Sequence, residues 1–449
     1  MPADEILAPA LAANSSDLAR PPARQVVLRV MLNQMIFNAG NALTTGGFFY
    51  YFLSGFKPGG LWMAGFMVVP EICQSLSMLA QLFAGTLRWR KPICIGALLA
   101  SRLCALGIPL VLLLKTGPET TWIALTYLLV CTIAFSLLQG LSYVHYISWL
   151  SALQPASRWG RLFSWRQTAG LLISVLIPLG TLLLRRRLLA ALPPEAAQWS
   201  YALLFVLGGC TVMLSVLPLL SLPAMPLISA GPRLRLSFSG WSNLWNQAFG
   251  RLLACRWTAA FFQGLTQSLL FKFAQGPLHI SLETWTMLTS LMLALQIPVS
   301  RWAGQVSDCN HDRRGMFWGL LVASCAMPCW MLATPQSWQF LIPAYACWSA
   351  FAMVNICGLN LCLKQVPAER QIEALALYDQ VSGLIAGLAG LLGGYWLDLR
   401  LQGLSGAGFD AAPAYQLILF VSWLGRVLAP CWLLTWPLEP ERALKKCSL

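Results

Sequence analysis

Residues 303–314, AGQVSDCNHDRR, and the apolar run that follows at 320–324, LLVAS, decide the fold. The same pattern occurs near the N-terminus, where AGTLRWRK at 84–91 precedes ALLAS at 97–101. A second pair lies further along each copy: PASR at 155–158 with QTAGLL at 167–172, and PAER at 367–370 with QVSGLI at 380–385. A pattern that returns once, with similar spacing, indicates two parallel halves of similar structure.

The amino-acid composition indicates the environment in which the two halves lie. Of 449 residues, 57% are hydrophobic and 10% are charged, and the mean hydropathy is +0.65. Soluble domains carry roughly 25% charged residues, so the chain is a polytopic membrane protein. A spanning helix needs about 20 apolar residues, and the many spans leave no room for a large soluble catalytic domain.

Apolar runs bounded by glycine, proline and charge predict twelve spans. They are 26–53, 60–86, 92–114, 122–146, 167–184, 199–222, 257–275, 281–306, 315–334, 338–363, 376–398 and 413–436. The prediction is therefore an all-α polytopic membrane protein with 12 transmembrane helices in two six-helix pseudo-symmetric halves. The halves are 26–222 and 257–437, with an N-terminal tail at 1–25, a central loop at 223–256 and a C-terminal tail at 438–449.

The net charge of +14 follows from this topology. Most basic residues lie in the two tails and the even-numbered loops, and positive charge collects on the cytoplasmic side of a membrane protein. We therefore expect both termini in the cytoplasm, a cell (inner) membrane location, and no nucleic-acid partner.

The loop motif resembles that of the major facilitator superfamily of secondary transporters, in which G-x-x-x-D precedes a basic cluster. Gly304, Asp308, Arg313 and Arg314 match it, whereas the first copy lacks the aspartate. The resemblance implies alternating access with a cytoplasmic gate, although positive loops are expected for topology alone. The gate candidates in the other loops are Gly85, Arg88, Arg90, Lys91, Arg158, Arg161 and Arg166.

Glu71 is the outstanding polar residue because it follows Pro70 near the middle of the second span. A carboxylate at that depth costs several kcal/mol unless it is paired or protonated, and such residues usually mark ion or substrate pathways. Gln74 lies on the same helix face. We expect proton coupling or substrate contact at Glu71; a static ion pair with Arg102 and a protonated core carboxyl are the alternatives.

Polar stripes on four other spans are candidates for a substrate cavity. The resemblance places the first, fourth, seventh and tenth spans around that cavity, and interhelical hydrogen bonding is the alternative for any one member. The members are Gln34, Asn38, Asn41, Thr45, Gln139, Tyr143, Gln263, Gln267, Tyr345, Trp348 and Asn355. Amide-rich stripes suit a neutral or weakly charged organic solute.

The eleventh span begins with Asp379, which we interpret as a helix-start charge or a cytoplasmic gate partner. Its glycines Gly383, Gly387, Gly390 and Gly394 form one small-residue stripe that allows close helix approach. Arg426, in the middle of the twelfth span, has no partner that the sequence identifies.

The functional prediction is a secondary active transporter that moves a small organic solute by alternating access, with the proton as the candidate coupling ion. A lipid or lysolipid transporter and a non-transporting sensor or partner protein are the alternatives. A membrane transferase ranks lower because the loops supply no acidic or histidine cluster beyond Asp308 and Asp312. The absence of a phosphate-binding loop argues against an ATP-driven pump. We expect a monomer in the lipid bilayer, without enzyme activity, cofactor or metal.

Overall fold

The computed structural model describes residues 23–77, 90–114, 121–153, 159–191, 197–224, 247–366, 374, 376–404 and 412–434. The helices of the first half are α1 Ala23–Thr44, α2 Gly47–Ser54, α3 Gly60–Ser77, α4 Arg90–Gly107, α5 Thr121–Leu153, α6 Trp159–Ala191, α7 Ala197–Leu214 and α8 Val216–Leu220. A 3-10 helix, Ile108–Leu113, extends α4.

The second half continues with the same architecture. Its helices are α9 Gln247–Gln275, α10 Leu282–Asp308, α11 Asp312–Ser324, α12 Ala326–Leu332, α13 Leu341–Trp348, α14 Phe351–Lys364, α15 Val381–Leu404, α16 Ala412–Leu428 and α17 Cys431–Leu434. A 3-10 turn, Trp338–Phe340, precedes α13, and a π-helical turn, Ala376–Gln380, precedes α15.

The described residues contain a helical segment for each of the twelve predicted spans, so the all-α polytopic prediction is confirmed. Eight of these segments are long and apolar enough to cross a membrane by length and composition alone. The other four, which begin with α1, α3, α9 and α10, include those that carry the most polar side chains toward the interior. Polar groups in a membrane protein face protein or a cavity, which lowers the hydropathy of those helices.

Several predicted boundaries are wrong. The first span is not one helix, because it breaks at Thr45–Gly46. Helix α9 begins at Gln247, inside the predicted central loop 223–256, and α6 (Trp159–Ala191) is longer at both ends than the predicted span 167–184. Hydropathy marks the part of a helix in the hydrocarbon, whereas backbone hydrogen bonding continues into the polar region, where long basic side chains extend to water.

Hydrogen bonds show which chain segments share an end of the bundle. Arg29 donates to the Ser221 carbonyl at 2.8 Å, and Arg313 donates to the Leu434 carbonyl at 3.2 Å. We call the end that carries Ala23 and these bonds the terminal end, and the opposite end, which carries Gly60 and Asp398, the distal end.

Two helix pairs make the most extensive contacts between the halves. Helix α3 of the first half packs along α15 of the second, and α6 packs against α10. Each pair joins one helix from each half, so both contacts belong to the interface that must change if the halves move.

The α3–α15 contact depends on the predicted glycine stripe. A Cβ atom on Gly394 would lie 2.6 Å from the Ala64 Cβ and 2.7 Å from the Gly60 carbonyl oxygen, and one on Gly387 would lie 2.8 Å from the Ile72 Cγ1. Real Cβ atoms do not approach so closely. The stripe is therefore used for close packing between the halves.

The first testable prediction concerns this contact. Replacing Gly394 with alanine inserts a methyl group against the α3 backbone, and overpacking typically costs about 1–3 kcal/mol. We expect the G394A variant to melt at a lower temperature in detergent. The matched control is Gly65→Ala on α3, where a Cβ atom would meet nothing within 4 Å. Equal melting temperatures for the two variants would contradict the role of the stripe.

Candidate functional site

A cavity of about 610 Å³ lies between the two halves. Gly46, Gly47, Tyr50, Met67 and Glu71 line it from the first half, and the rest of its wall comes from α9, α10, α13, α14, α15, α16 and the π-helical turn. Aromatic side chains form one part of the wall, amides another. The aromatic residues are Tyr50, Trp285, Tyr345, Trp348 and Phe351. The amide residues are Gln263, Gln267, Gln296 and Asn355.

The helix break at Gly46 opens onto this cavity. Gly46 has φ 63°, a conformation that glycine adopts without a steric penalty. Irregular backbone at membrane depth is tolerated where it lines a cavity, and discontinuous helices build binding sites in many transporters. The break therefore contributes backbone as well as side chains to the candidate site.

Glu71 lines the cavity and contacts the other half of the protein. Its Oε1 accepts a hydrogen bond from Gln267 Nε2 at 3.0 Å, so a carboxylate on α3 is joined to an amide on α9. Both residues were predicted as site residues, Glu71 from its depth in the second span and Gln267 from the polar stripe of the seventh. The structure shows that they are direct neighbours, which the sequence did not predict.

Asp379 also lines the cavity, in the π-helical turn before α15. Arg256 on α9 lies 3.7 Å from it, Nη2 to Oδ1, and the arginine side chain also lies over the Tyr378 ring. Asp379 was predicted to be a helix-start charge or a cytoplasmic gate partner, and its ion-pair partner in the structure is Arg256. Arg256 lines the cavity too, although the sequence assigned it only to the positive side.

Arg426 is a site residue that the sequence did not identify. Its side chain is 6% exposed and lines the cavity. Nε donates to Ser422 Oγ at 3.1 Å, and Nη2 donates to Thr266 Oγ1 at 2.7 Å. Neither ion pair among the described residues includes it.

The predicted stripes divide among three cavities rather than one. Gln263, Gln267, Tyr345, Trp348 and Asn355 line the central cavity. Asn38, Asn41 and Thr45 line a side cavity of about 320 Å³, which shares Gly46, Gly47, Trp285 and Thr289 with the central one. Gln34, Gln139, Tyr143 and Arg166 line a third cavity, of about 310 Å³, within the first half.

The alternative that Glu71 pairs with Arg102 is wrong. Arg102 is fully buried, and its Nη2 donates to Gln139 Oε1 at 2.5 Å. Its guanidinium carbon lies 4.7 Å from the Phe135 ring centroid, a cation–π geometry. Depth along neighbouring helices allowed the pair, but the rotation of α4 turns Arg102 toward α5 and not toward α3.

Two predicted gate residues of the first half, Lys91 and Arg166, have described side chains, and neither contacts an acidic residue through an ion pair. Lys91 donates to the Leu220 and Leu222 carbonyls at 2.8 and 2.6 Å, and Arg166 lies over the Tyr146 ring. The side chains of Gln74, Arg90, Arg161 and Asp308, and the whole of Gly85, Arg88 and Arg158, lie outside the described part of the structure.

In the second half the structure shows an acidic residue of the gate loop in an ion pair. Asp312, 2% exposed, forms an ion pair with Lys364 at 2.6 Å, and Lys364 also donates to Asn310 Oδ1 at 2.9 Å. Arg313 bonds the Leu434 carbonyl, and Arg314 is exposed. Asp312 thus links α11 to α14, a pairing that no local spacing in the sequence indicates. A Cβ atom on Gly304 would meet nothing within 4 Å, so no close contact requires that glycine.

The distal end is closed by contacts between the halves. Asp398 on α15 accepts hydrogen bonds from the backbone nitrogens of Gly60 at 2.5 Å and Leu61 at 2.7 Å, and therefore caps the N-terminus of α3. Tyr51 donates to the Ile280 carbonyl at 2.5 Å. The Phe271 ring packs edge-on against Tyr51 and Trp285, with centroids 5.4 and 5.3 Å apart.

Neither the family models nor the curated proteins contain a match to this chain. Solved structures do match. A bacterial homologue of the human lysosomal transporter Spinster, inward-facing and occupied, superposes with a TM-score of 0.64 at 13% identity, covering 93% of this chain and 97% of that one. The inward-open xylose transporter XylE from E. coli gives 0.62 at 16% identity, with the same two coverages.

The nucleoside transporter NupG superposes with a TM-score of 0.59 at 15% identity, over 92% of this chain and all of that one. The chain has the fold of the major facilitator superfamily. The predicted resemblance is confirmed over nearly the whole chain, and with the apolar helices it identifies an integral membrane protein. In this fold, the central cavity lies at the interface between the two halves.

The second prediction concerns the distal closure. Replacing Asp398 with alanine removes two charge-assisted bonds and the carboxylate that favours the α3 N-terminus, a loss of about 1–2 kcal/mol. We expect the distal ends of the halves to separate more often. Spin labels at the exposed residues Lys57 and Arg400, with the exposed native cysteines replaced, would report a longer and broader distance distribution.

The control for this measurement is Glu283→Ala, which removes a carboxylate from the first turn of α10 at the same end. It should leave the distance distribution unchanged. An identical distribution for the D398A variant and the parent protein would show that the cap does not hold the distal end closed.

Proposed function

We propose that the protein is a secondary active transporter that moves a small organic solute across the cell inner membrane by alternating access. It acts as a monomer, with the terminal end in the cytoplasm. The observation that carries the proposal is the cavity of about 610 Å³ at the interface of the halves, lined by aromatic, amide and charged side chains. Such a lining binds an organic solute by stacking and oriented hydrogen bonds.

Alternating access needs an interface with two arrangements. The distal contacts of Asp398, Tyr51 and Phe271 join the halves by bonds that are each weak enough to break. The α3–α15 contact has a smooth, glycine-lined surface, on which one helix can shift against the other with few side chains in the way. These features support a rocking motion about the cavity.

We extend the proposal to coupling with protons at Glu71. The carboxylate borders the cavity and accepts a bond from Gln267 across the interface. A proton on Glu71 would remove its charge and change the strength of this bond, since charge-assisted hydrogen bonds are about twice as strong as neutral ones. Protonation at this residue would therefore alter a contact between the halves.

The third prediction tests this coupling. The E71Q variant keeps the size and a hydrogen-bonding oxygen of the side chain but cannot change its charge. In liposomes, we expect loss of accumulation driven by a pH gradient and retention of exchange of solute without a gradient. The control Glu283→Gln should retain both activities. Full gradient-driven accumulation by the E71Q variant would remove Glu71 from the coupling.

The fourth prediction tests alternating access itself. A Cβ atom on Gly383 would lie 2.8 Å from the Ser75 Oγ, close to the separation of Cβ and the opposite sulfur in a disulfide. Cysteines at both positions should cross-link α3 to α15 on oxidation and hold the halves in one arrangement. We expect transport to be lost on oxidation and recovered with reductant, while each single variant remains active.

The solute for this assay comes from a thermal-shift screen of the purified protein, because a ligand that binds the folded state raises the melting temperature. Sugars, amino acids, peptides, nucleosides, siderophores and lysolipids form the panel. Undiminished transport by the fully cross-linked protein would contradict alternating access. Failure of every solute to move in liposomes would contradict transport and favour a sensor that has kept the fold.

A further inference from the structure

The buried guanidinium of Arg426 has one nitrogen, Nη1, that its hydrogen bonds do not use. Its four hydrogen bonds, to Ser422, Thr266 and the carbonyls of Phe262 and Gln263, are made by Nε and Nη2. The residue lines the central cavity and also a small pocket beside it. The Nη1 nitrogen, with its two N–H donors, takes part in none of these bonds.

A buried cation without a carboxylate partner is costly. Removing a charge from water costs several kcal/mol, and neutral hydroxyl and carbonyl partners recover a part of that cost. The ion pairs among the described residues are Arg256–Asp379, at 3.7 Å, and Lys364–Asp312, so the other arginine of the cavity has a carboxylate beside it, whereas Arg426 has none. Arg426 therefore keeps an uncompensated positive charge at the wall.

The Glu71 carboxylate, which also lines the cavity, does not form an ion pair with Arg426. Thr266 and Gln263 on α9 bind Arg426, whereas Gln267 on the same turn binds Glu71. Each charge is fixed by its own α9 partner, and they do not neutralise each other by direct contact.

An apolar surface completes the site. The Trp348 ring lies 5.0 Å from the Tyr345 ring and 5.8 Å from the Trp330 ring, centroid to centroid, which fixes its orientation. Trp348 and Tyr345 line the same cavity as Arg426. Aromatic faces bind flat apolar groups, and a guanidinium binds carboxylate or phosphate oxygens.

We propose that Arg426 is the anion-binding residue of the cavity and that the transported solute is an organic anion with an aromatic or apolar body. The inference rests on the proposed transport function and specifies its substrate class. The anionic group, a carboxylate or a phosphate, accepts hydrogen bonds from Arg426 Nη1, and the body lies against Trp348 and Tyr345. This differs from the neutral or weakly charged solute that the amide-rich stripes suggest.

The first test measures the electrostatic potential of the cavity and requires no known solute. Asn355, an exposed residue of the cavity wall, is replaced by cysteine as a reporter. Its modification by an anionic methanethiosulfonate (sulfonatoethyl) and by a cationic one (trimethylammonioethyl) is followed by mass spectrometry of the peptide that contains position 355. The ratio of the anionic to the cationic rate, divided by the same ratio for a small thiol free in solution, reports the local preference for anions, because the two reagents differ in intrinsic reactivity.

Arg426→Gln should lower the anionic-to-cationic ratio about tenfold, since a unit positive charge at the cavity wall attracts one reagent and repels the other. Arg426→Lys keeps the charge and should keep the ratio, and it replaces the glutamine variant as the informative protein if the latter does not fold. The control is Arg186→Gln, which removes an exposed arginine at the distal end of α6 and should leave the ratio unchanged. A ratio near one in the parent protein, or one unchanged in the R426Q variant, overturns the proposal.

The second test measures binding with matched probes: benzoate, phenyl phosphate and neutral benzamide, each in a thermal-shift titration. We expect the parent protein to be stabilised more by an anion than by benzamide, and the R426Q variant to lose this preference. The anion that raises the melting temperature more identifies the headgroup as carboxylate or phosphate.

Equal stabilisation by benzoate, phenyl phosphate and benzamide would overturn the proposal. Transport of a neutral solute that is unaffected in the R426Q variant would also overturn it and leave the transport function intact. Arg426-dependent anion binding without any transport would support the anion site and contradict the transport function.

Discussion

The close approach of α3 and α15 is the contact on which the arrangement of this protein depends. Gly387 and Gly394 remove the side chains that would otherwise separate the two helices, so that backbone of one half lies against backbone of the other. This contact places Glu71 beside α9 and brings Asp398 to the start of α3. In lipid, where apolar side chains gain little by leaving the hydrocarbon, such close packing is a principal source of helix association.

Helix α9 has the second organising role because it holds the charged residues of the cavity. Arg256 lies on α9 itself, Glu71 is bound by Gln267, and Arg426 is bound by Thr266. Each of these bonds replaces water that the membrane interior does not supply. The cavity is thus a polar region whose walls are fixed before any solute binds, which lowers the entropic cost of binding.

The distal closure relies on a helix terminus rather than on an ion pair. The first backbone N–H groups of α3 have no partner within their own helix, and the Asp398 carboxylate satisfies them from the other half. In the proposed alternating access, water would satisfy both groups when the halves part, so the closed and the open arrangement would differ by a modest free energy. A buried salt bridge in the same place would leave two costly charges and would favour one arrangement more strongly.

The sequence by itself determined the membrane location, the order of the helical segments and the repeat of its motifs, and it singled out Glu71 as a candidate, because hydropathy, depth and repeated motifs are local properties of the chain. It did not determine partners. The pairing of Glu71 with Gln267, of Asp312 with Lys364 and of Asp398 with the start of α3 joins helices distant in sequence. Arg426 likewise carries no local signal beyond its depth. Only the tertiary structure decided these pairings. They depend on which helices are neighbours and on how each helix is rotated about its axis, and a polar stripe on a helix does not fix that rotation.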